Sequence, residues 1–424
     1  MANTYLSKTL GTPTNNIKWT WSTWIKRSKI TGSQQRIFYA ENGAGSNYTT
    51  IQFDDEQKLQ WFNEIGGTDM QLITSRQFKD IGAWMNLMFV YDSANATAAD
   101  RQIIYVNGER QTAFLDENTA GSSVTTAINQ AVVHNIASGP GAANFYEGSM
   151  SHIHFIDGTA YPATAFGSVD STSGIWKINT SPSVTYGNNG FFILKDGNTI
   201  TDSSPNSNNF SLGGGTLTNT EDCPDNNFAT LNALATSSYG TLIQGNNTVK
   251  GNTSTNSAET FSTLSTNNDG KYYYEIKCTG VNGVDNPNFG FIHTARGFRL
   301  QNGEPGLGGA TNGSLDIRVQ PDGKTFDNGA ASGSAVISTY TAGDILGFAI
   351  DSDNGAFYVS KNGVWQTSGN PESGASRTGA IKTWSPTDSK VTDGQSVCIG
   401  VYNTAAIADA NFGNGYFGTT AVSS

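Results

Sequence analysis

Short apolar runs that alternate with small or polar residues recur along the whole chain, separated by clusters of turn-forming residues. The clearest lies at 343–365. Leu346, Phe348 and Ile350 alternate with smaller neighbours, the period of two that marks a strand packed on one face. Asp351-Ser352-Asp353-Asn354-Gly355 follows as a turn, built from residues that tolerate unusual dihedral angles. Phe357 and Val359 then face opposite to Tyr358 and Ser360, and Asn362-Gly363 closes the second strand with the dipeptide most suited to a tight hairpin. The same alternation puts Trp19, Trp21, Thr23 and Ile25 on one face of an early strand. It predicts further strands at 35–40, 49–53, 58–63, 70–74, 86–91, 103–106 and 148–156, the last with Ile153 and Phe155 inward. Towards the C-terminus Tyr272, Tyr274, Ile276 and Cys278 share a face, and strands are expected at 288–292, 315–319, 397–402 and 409–414. Long helical periodicity is missing, so the chain reads as all-β.

The punctuation divides the chain. A short polar segment, 1–16, precedes a first block of strands at 17–178. Gly, Asn, Ser, Thr and Pro dominate 179–240, with strand-like pieces at 190–194 and 210–217. Phe191, Phe192, Phe210 and Phe228 in this connector require burial, so it is expected to be ordered and packed on its neighbours. A second block occupies 241–424. Residues 1–16 are expected to dock the protein to a larger assembly.

Several stretches resemble known families. Lys271-Tyr272-Tyr273-Tyr274-Glu275-Ile276, the 343–365 hairpin and Asn411-Phe412-Gly413 are similar to the core strands of SPRY domains. Trp21-Ser22-Thr23-Trp24-Ile25-Lys26, the run from Trp84 to Asp92 with Ile104-Tyr105-Val106-Asn107-Gly108, and Phe145-Tyr146-Glu147-Gly148-Ser149-Met150 resemble the opening, central and closing strands of laminin-G-like and pentraxin-like jelly rolls. Together these resemblances imply two concanavalin-like antiparallel β-sandwiches joined by a structured connector. A third resemblance spans the junction. Asn144–Gly148, His154–Gly158, Tyr161–Gly167, Gly174–Lys177, Tyr186–Phe191 and Asp222–Asn232 look like a cassette of marine tailed-bacteriophage structural proteins, in which a SPRY domain often follows. That resemblance implies a virion protein made in the host cytoplasm: a head fibre, tail fibre or decoration.

Composition narrows the function. The chain has 424 residues with 14% charged, a formal net charge of −11, and 22 Phe, 16 Tyr and 8 Trp to build compact cores. No basic run exists to neutralise phosphates, which argues against nucleic acid as a partner. No run approaches the ~20 apolar residues of a membrane span, and Met1-Ala2-Asn3-Thr4-Tyr5 does not open a secretory signal. Cys223, Cys278 and Cys398 are too few and odd in number for a disulfide framework. Cys278 and Cys398 are expected to be buried thiols.

Candidate chemistry is sparse. His152 and His154 are two apart and would share a strand face, but a closed zinc site needs four ligands. Asp351–Gly355 begins like a calcium loop, yet Asn362 stands where an EF-hand needs its bidentate Glu. Asp54-Asp55-Glu56 is a better calcium candidate and reads equally as a solvated turn. Gly306-Leu307-Gly308-Gly309 lies between strands rather than before a helix, so phosphate binding is not expected. The chain lacks the Glu-x-Asp-x-x-Glu spacing of sandwich-fold glycanases, a Gly-x-Ser-x-Gly elbow and a Walker loop. Neither catalytic residues nor a cofactor or metal is assigned. Trp61, Phe62, Tyr340, Trp365 and Trp384 remain as aromatics that stack on sugars or pack in cores.

The expectation is therefore a non-enzymatic virion surface protein, assembled as a homo-oligomer (a trimer) with other virion proteins such as capsid, portal, tail or adaptor. Its task would be attachment to a host cell-surface glycan or protein. A decoration that stabilises the shell without a host ligand is the second reading, and a virion-associated polysaccharide-degrading enzyme the third.

Overall fold

A computed structural model describes residues 3–424 except 44–46, 67, 196, 198, 253–256, 268, 285, 294–315, 328–329, 388–393, 415, 418–419 and 422–424. The chain is all-β. Helix among the described residues is confined to single 3₁₀ turns, and none is long and apolar enough to cross a membrane. The strands gather into two compact units, Met1–Asn227 and Phe228–Ser424.

The strands of the first unit are β1 (Tyr5–Thr9), β2 (Lys18–Arg27), β3 (Gln35–Glu41), β4 (Asn47–Phe53), β5 (Lys58–Ile65), β6 (Thr68–Gln77), β7 (Met85–Asp92) and β8 (Gln102–Val106). They continue with β9 (Glu109–Arg110), β10 (Phe114–Asn118), β11 (Val133–Ile136), β12 (Gly148–Asp157), β13 (Gly167–Val169), β14 (Trp176–Ile178), β15 (Phe191–Ile193) and β16 (Ser211–Gly214). An eight-stranded antiparallel sheet runs β10-β6-β5-β4-β3-β11-β1-β16, and a six-stranded sheet runs β15-β12-β2-β7-β8-β9. Their inner faces enclose one core. Trp19, Trp21 and Ile25 from β2 meet Phe38, Ile51, Trp61 and Leu72 from the larger sheet, all essentially inaccessible to water. Trp19 stands 5.2 Å from Trp61 and Trp21 stacks on Phe38 at 4.9 Å, within the range in which ring pairs add to simple burial.

The boundaries expected from composition differ from these units. Segment 1–16 is part of the sandwich, because β1 pairs with both β11 and β16 and Leu6 and Leu10 enter the core. Most of 179–240 also belongs to the first unit: β15 pairs with β12, and Phe191, Ile193 and Phe210 are core residues. The second unit starts at Phe228 rather than 241, since Leu231 is wholly buried in its core. The connector's phenylalanines are buried as expected, but polar composition did not show which unit they join.

Segment 160–186 covers the outer face of the six-stranded sheet. Phe166 and Trp176 close over Trp24, Trp84, Met88, Val90 and Ile156. A Cβ added at Gly108 would lie 2.3 Å from the Trp176 ring. The glycine of the Asn107-Gly108 turn thus meets a packing need as well as its φ of +75°. Residues 222–227 anchor on the same sheet. Asp222 accepts hydrogen bonds from Lys26 Nζ at 2.6 Å and Trp84 Nε1 at 2.7 Å, while Asn227 accepts from Lys26 at 2.8 Å.

The second unit pairs an eight-stranded with a six-stranded antiparallel sheet around Tyr274, Ile276, Phe289, Phe291, Phe348, Ile350, Phe357 and Ile399. Ile345–Asp351 pairs with Ala356–Lys361, and the Asp351 carboxylate accepts from the Asn354 amide in the turn between them. The expected strand at 315–319 is seen as Asp316–Val319. Leu315 and Gly306–Gly309 fall outside the described residues. All three cysteines are free, with Cys278 and Cys398 buried and Cys223 half-buried.

Candidate functional site

On the larger sheet of the first unit, alternation sends Phe38, Ala40, Ile51, Phe53, Leu59, Trp61 and Leu72 inward. Tyr39, Glu41, Tyr48, Thr50, Gln52, Gln60, Phe62 and Gln71 are thereby left on the outer face, and a register shift between Arg36 and Phe38 brings Arg36 to the same face. Register then decides what they touch. Arg36 lies opposite Gln52, Gln52 opposite Gln60, and Phe62 opposite both Thr50 and Gln71.

The result is a polar ladder across five strands. Arg36 Nε donates to Gln52 Oε1 at 3.2 Å, Gln52 Nε2 to Gln60 Oε1 at 2.6 Å, and Gln60 Nε2 to Gln71 Oε1 at 3.3 Å. Gln71 Nε2 then donates to the Asp116 carboxylate on β10. Every amide points the same way, with a cation at the donor end and an anion at the acceptor end, so each bond polarises the next. An aromatic row runs beside the ladder: Tyr39 and Tyr48 are 6.0 Å apart, Tyr48 and Phe62 5.5 Å. The Tyr39 hydroxyl donates to Glu41 Oε2 at 2.8 Å. Burial, then this bond and the Glu41 charge, push its pKa far up, so the phenol stays protonated.

Where β3 meets β11 the face opens into a cavity of about 340 Å³, lined by Tyr39, Glu41, Gly43, Val133, Asn135, Pro140 and Gly141. Aromatic planes, paired amides and a shallow cavity suit ligands with apolar C–H faces and many hydroxyls.

The residues singled out in the sequence fare unevenly. Phe62 sits on this face, whereas Trp61, Tyr340 and Trp384 are core residues. The Tyr340 hydroxyl is spent on the carbonyls of Pro287 and Val319, at 2.7 and 3.0 Å. Trp365 lies on the outer face of the second unit's larger sheet, edge-on to Tyr273 at 6.4 Å. Asp54–Glu56 form a turn in which Asp54 Oδ1 accepts from the amides of Glu56 and Lys58. His152 and His154 are separated by a register shift, with His152 at φ +47°. His154 is buried, at 2% exposure. It stacks on Phe192 at 3.9 Å and meets the Tyr186 hydroxyl at 2.9 Å. Among the described residues no group of three His, Cys, Asp or Glu is placed to hold a metal ion.

Residues 2–165 match the family model of the concanavalin A-like lectin/glucanases superfamily, Laminin_G_3. The N-terminal part of the chain is laminin-G-like. That match reaches from β1 through β12, so it contains the ladder, the aromatic row and the cavity. No curated protein matches the chain. Among solved structures, the SPRY domain of human HERC1 is similar at 10% identity and TM-score 0.30, over 43% of this chain and 98% of that one. The heptameric SAP-like pentraxin from Limulus polyphemus is similar at 13% identity and TM-score 0.32, over 50% and 87%. A human SPRY domain is similar at 16% identity and TM-score 0.30, over 42% and 97%.

Proposed function

We propose that this chain is a non-enzymatic recognition protein of a bacteriophage virion surface, a head or tail fibre, that attaches to host glycan through the outer face of its larger N-terminal sheet. The observation that carries the glycan reading is the ladder from Arg36 to Asp116 beside the row Tyr39, Tyr48 and Phe62. Gln52 and Tyr39 are themselves buried, at 2% and 4% exposure, so the contact falls to the half-buried Gln60 and Gln71 amides, which offer a sugar hydroxyl donors and acceptors, and to the half-buried Tyr48 and Phe62 rings, which receive its C–H surface. The virion reading rests on the resemblance to bacteriophage structural proteins, two of whose stretches have structural work here: Asp222, which opens the stretch Asp222–Asn232, accepts from Lys26 and Trp84, and Tyr161–Gly167 lies in the segment covering the smaller sheet. A homo-oligomer, a trimer in the fibre reading, would multiply weak single-site affinity.

The Glu56, Asp170, Asp322 and Asp344 carboxylates are each held below their ordinary values, the opposite of what a glycosidase general acid needs.

The test is binding of the full-length protein to a panel of immobilised bacterial surface polysaccharides, with Phe62→Ala in parallel. Saturable binding that the variant loses is expected. Silence across the panel would sink attachment to glycan. Electron cryo-microscopy of the particle adds the location: chains lying flat between capsomers would leave shell decoration as the function.

A further inference from the structure

We infer that Lys26 and Asn227 become joined by a covalent side-chain amide bond, formed after folding with loss of ammonia, and that Asp222 carries the proton between them. Such a bond is independent of attachment to glycan.

Alternation along β2 sends Ile25 into the core and Trp24 and Lys26 to the other side of the sheet. A lysine there ordinarily carries its head group to water. Lys26 is buried instead. Its Nζ donates to Asp222 Oδ2 at 2.6 Å and to Asn227 Oδ1 at 2.8 Å. Asp222 is buried too, and Trp84 Nε1 holds its other oxygen at 2.7 Å. Asn227, by contrast, is exposed, and its Nδ2 donates to the Gly82 carbonyl at 2.9 Å. A buried amine and a buried carboxylate thus meet the carboxamide of a residue that solvent reaches.

These three groups suffice for amide exchange. An amine attacks only as the free base. Burial lowers the Lys26 pKa, against the Asp222 and Asp80 charges that raise it. In a site of low dielectric the shared proton can pass to the carboxylate and leave two neutral partners. Lysine allows this, whereas arginine would stay charged. Asn227 Cγ lies one carbonyl bond, about 1.23 Å, from the oxygen that Lys26 already touches, so attack needs a short swing of a flexible side chain. The Nζ lone pair forms the new bond to Cγ. Asp222 takes a proton from that nitrogen and delivers one to Nδ2. The Cγ–Nδ2 bond then breaks, and ammonia leaves to be protonated in water. One ammonium side chain and one carboxamide become one secondary amide and one ammonium ion, with no oxidant or cofactor consumed. The ion-paired anchor is the state before this reaction. The bond ties β2 to a residue 201 positions later and restrains the unfolded chain as a cross-link over a long loop does.

Intact mass spectrometry tests this on the full-length protein, purified, held for several days at neutral pH and then denatured. The wild-type chain should be lighter than its sequence by one ammonia, about 17 Da. Proteolysis should yield a branched peptide joining Lys26 to Asn227. Asn227→Ala, a change at an exposed residue, should abolish the loss. Asp222→Asn keeps an acceptor for Trp84 but cannot relay the proton, and should reduce the linked fraction by about tenfold or more. Thermal unfolding confirms that both variants are folded. A wild-type chain at full mass, or an ammonia loss that persists in Asn227→Ala and so belongs to another residue, would overturn the inference. So would loss of water with Lys26 joined to Asp222, or an Asp222→Asn chain as fully linked as wild type. Each of these outcomes leaves the attachment reading standing.

Discussion

The two sheets of the N-terminal unit turn very different outer faces away from their shared core. The smaller presents Trp24, Trp84, Met88, Val90 and Ile156, and the chain itself covers them with Phe166 and Trp176. The larger presents Arg36, Gln52, Gln60, Gln71 and Asp116 joined by hydrogen bonds. Among the described residues no such apolar cluster lies over it. An apolar outer face would be a liability if left bare, so its residues predict a cover. A polar face is stable in water without such a cover, and its Tyr48 and Phe62 rings are half-buried.

The comparison breaks most visibly at the cover. Trp176→Ala should cost about 3–5 kcal/mol, the range for emptying a large aromatic site, and should expose apolar surface that binds a hydrophobic dye. A loss under about 1 kcal/mol in chemical denaturation would mean that the segment merely rests on the sheet. Asp222→Ala removes the carboxylate from a pair in which Lys26 is 4% and Asp222 6% exposed. Breaking one partner of a buried pair costs about 3–5 kcal/mol. Lys26→Met with Asp222→Leu should recover much of that, because the double change removes both charges. A double variant no better than the single would show that the anchor's geometry, not its charge, holds the motif.

Acid should act through the first unit's histidines. Burial, the leading cause, lowers His154 to about 3 and His134 to about 4. The His134 ring is held by the Asn129 amide at 3.1 Å and the Val132 carbonyl at 2.9 Å, a pairing suited to the neutral ring. The unfolded chain binds protons below the ordinary value of 6.5, while the folded ring refuses them until near 4 or 3. Stability is thus full above pH 6.5 and falls as pH drops towards 4, by about 3 kcal/mol per histidine. Denaturation between pH 7 and 4 should show this slope, and His154→Gln should flatten it. A flat profile in wild type would contradict the burial argument.

The sequence carried the alternation well and the long-range pairing poorly. The strands at 35–41, 58–65, 85–92 and 345–351 were legible because strong apolar residues repeat at every second position. β1, β10 and β11 were missed: Tyr5–Thr9 and Val133–Ile136 are short and polar, and Phe114–Asn118 is an exposed edge. The places of β1 and β11 in the sheet come from partners far away along the chain: Leu6 pairs with Ile136, and His134 with Ala40. The candidate site suffered the same way. Phe62 was singled out, but Gln52, Gln60 and Gln71 look like ordinary surface polar residues until register aligns them. Searching each predicted strand for glutamines on its outward positions was the one signal available.

The smallest effect on stability should come from the face itself, and it separates function from folding most sharply. Phe62 is half-buried at the end of the aromatic row, so Phe62→Ala should cost about 1 kcal/mol or less, as for substitutions outside the core. Gln60→Leu cuts the ladder in the middle and leaves Gln52 Nε2 and Gln71 Oε1 without the partner each has now. Gln60 is half-buried but Gln52 is 2% exposed, so the orphaned Gln52 Nε2 should cost about 1–3 kcal/mol, still below the loss expected at Trp176. Binding should respond far more, by about tenfold for either change if stacking and paired hydroxyl bonds each contribute on the order of 1.4 kcal/mol. Trp176→Ala, on the covered face, should show the reverse: a large loss of stability with unchanged affinity at temperatures where it is folded. If Phe62→Ala and Gln60→Leu instead destabilise the unit as much as Trp176→Ala does, the ladder is a structural strut. The difference between the two faces would then be one of composition and not of purpose.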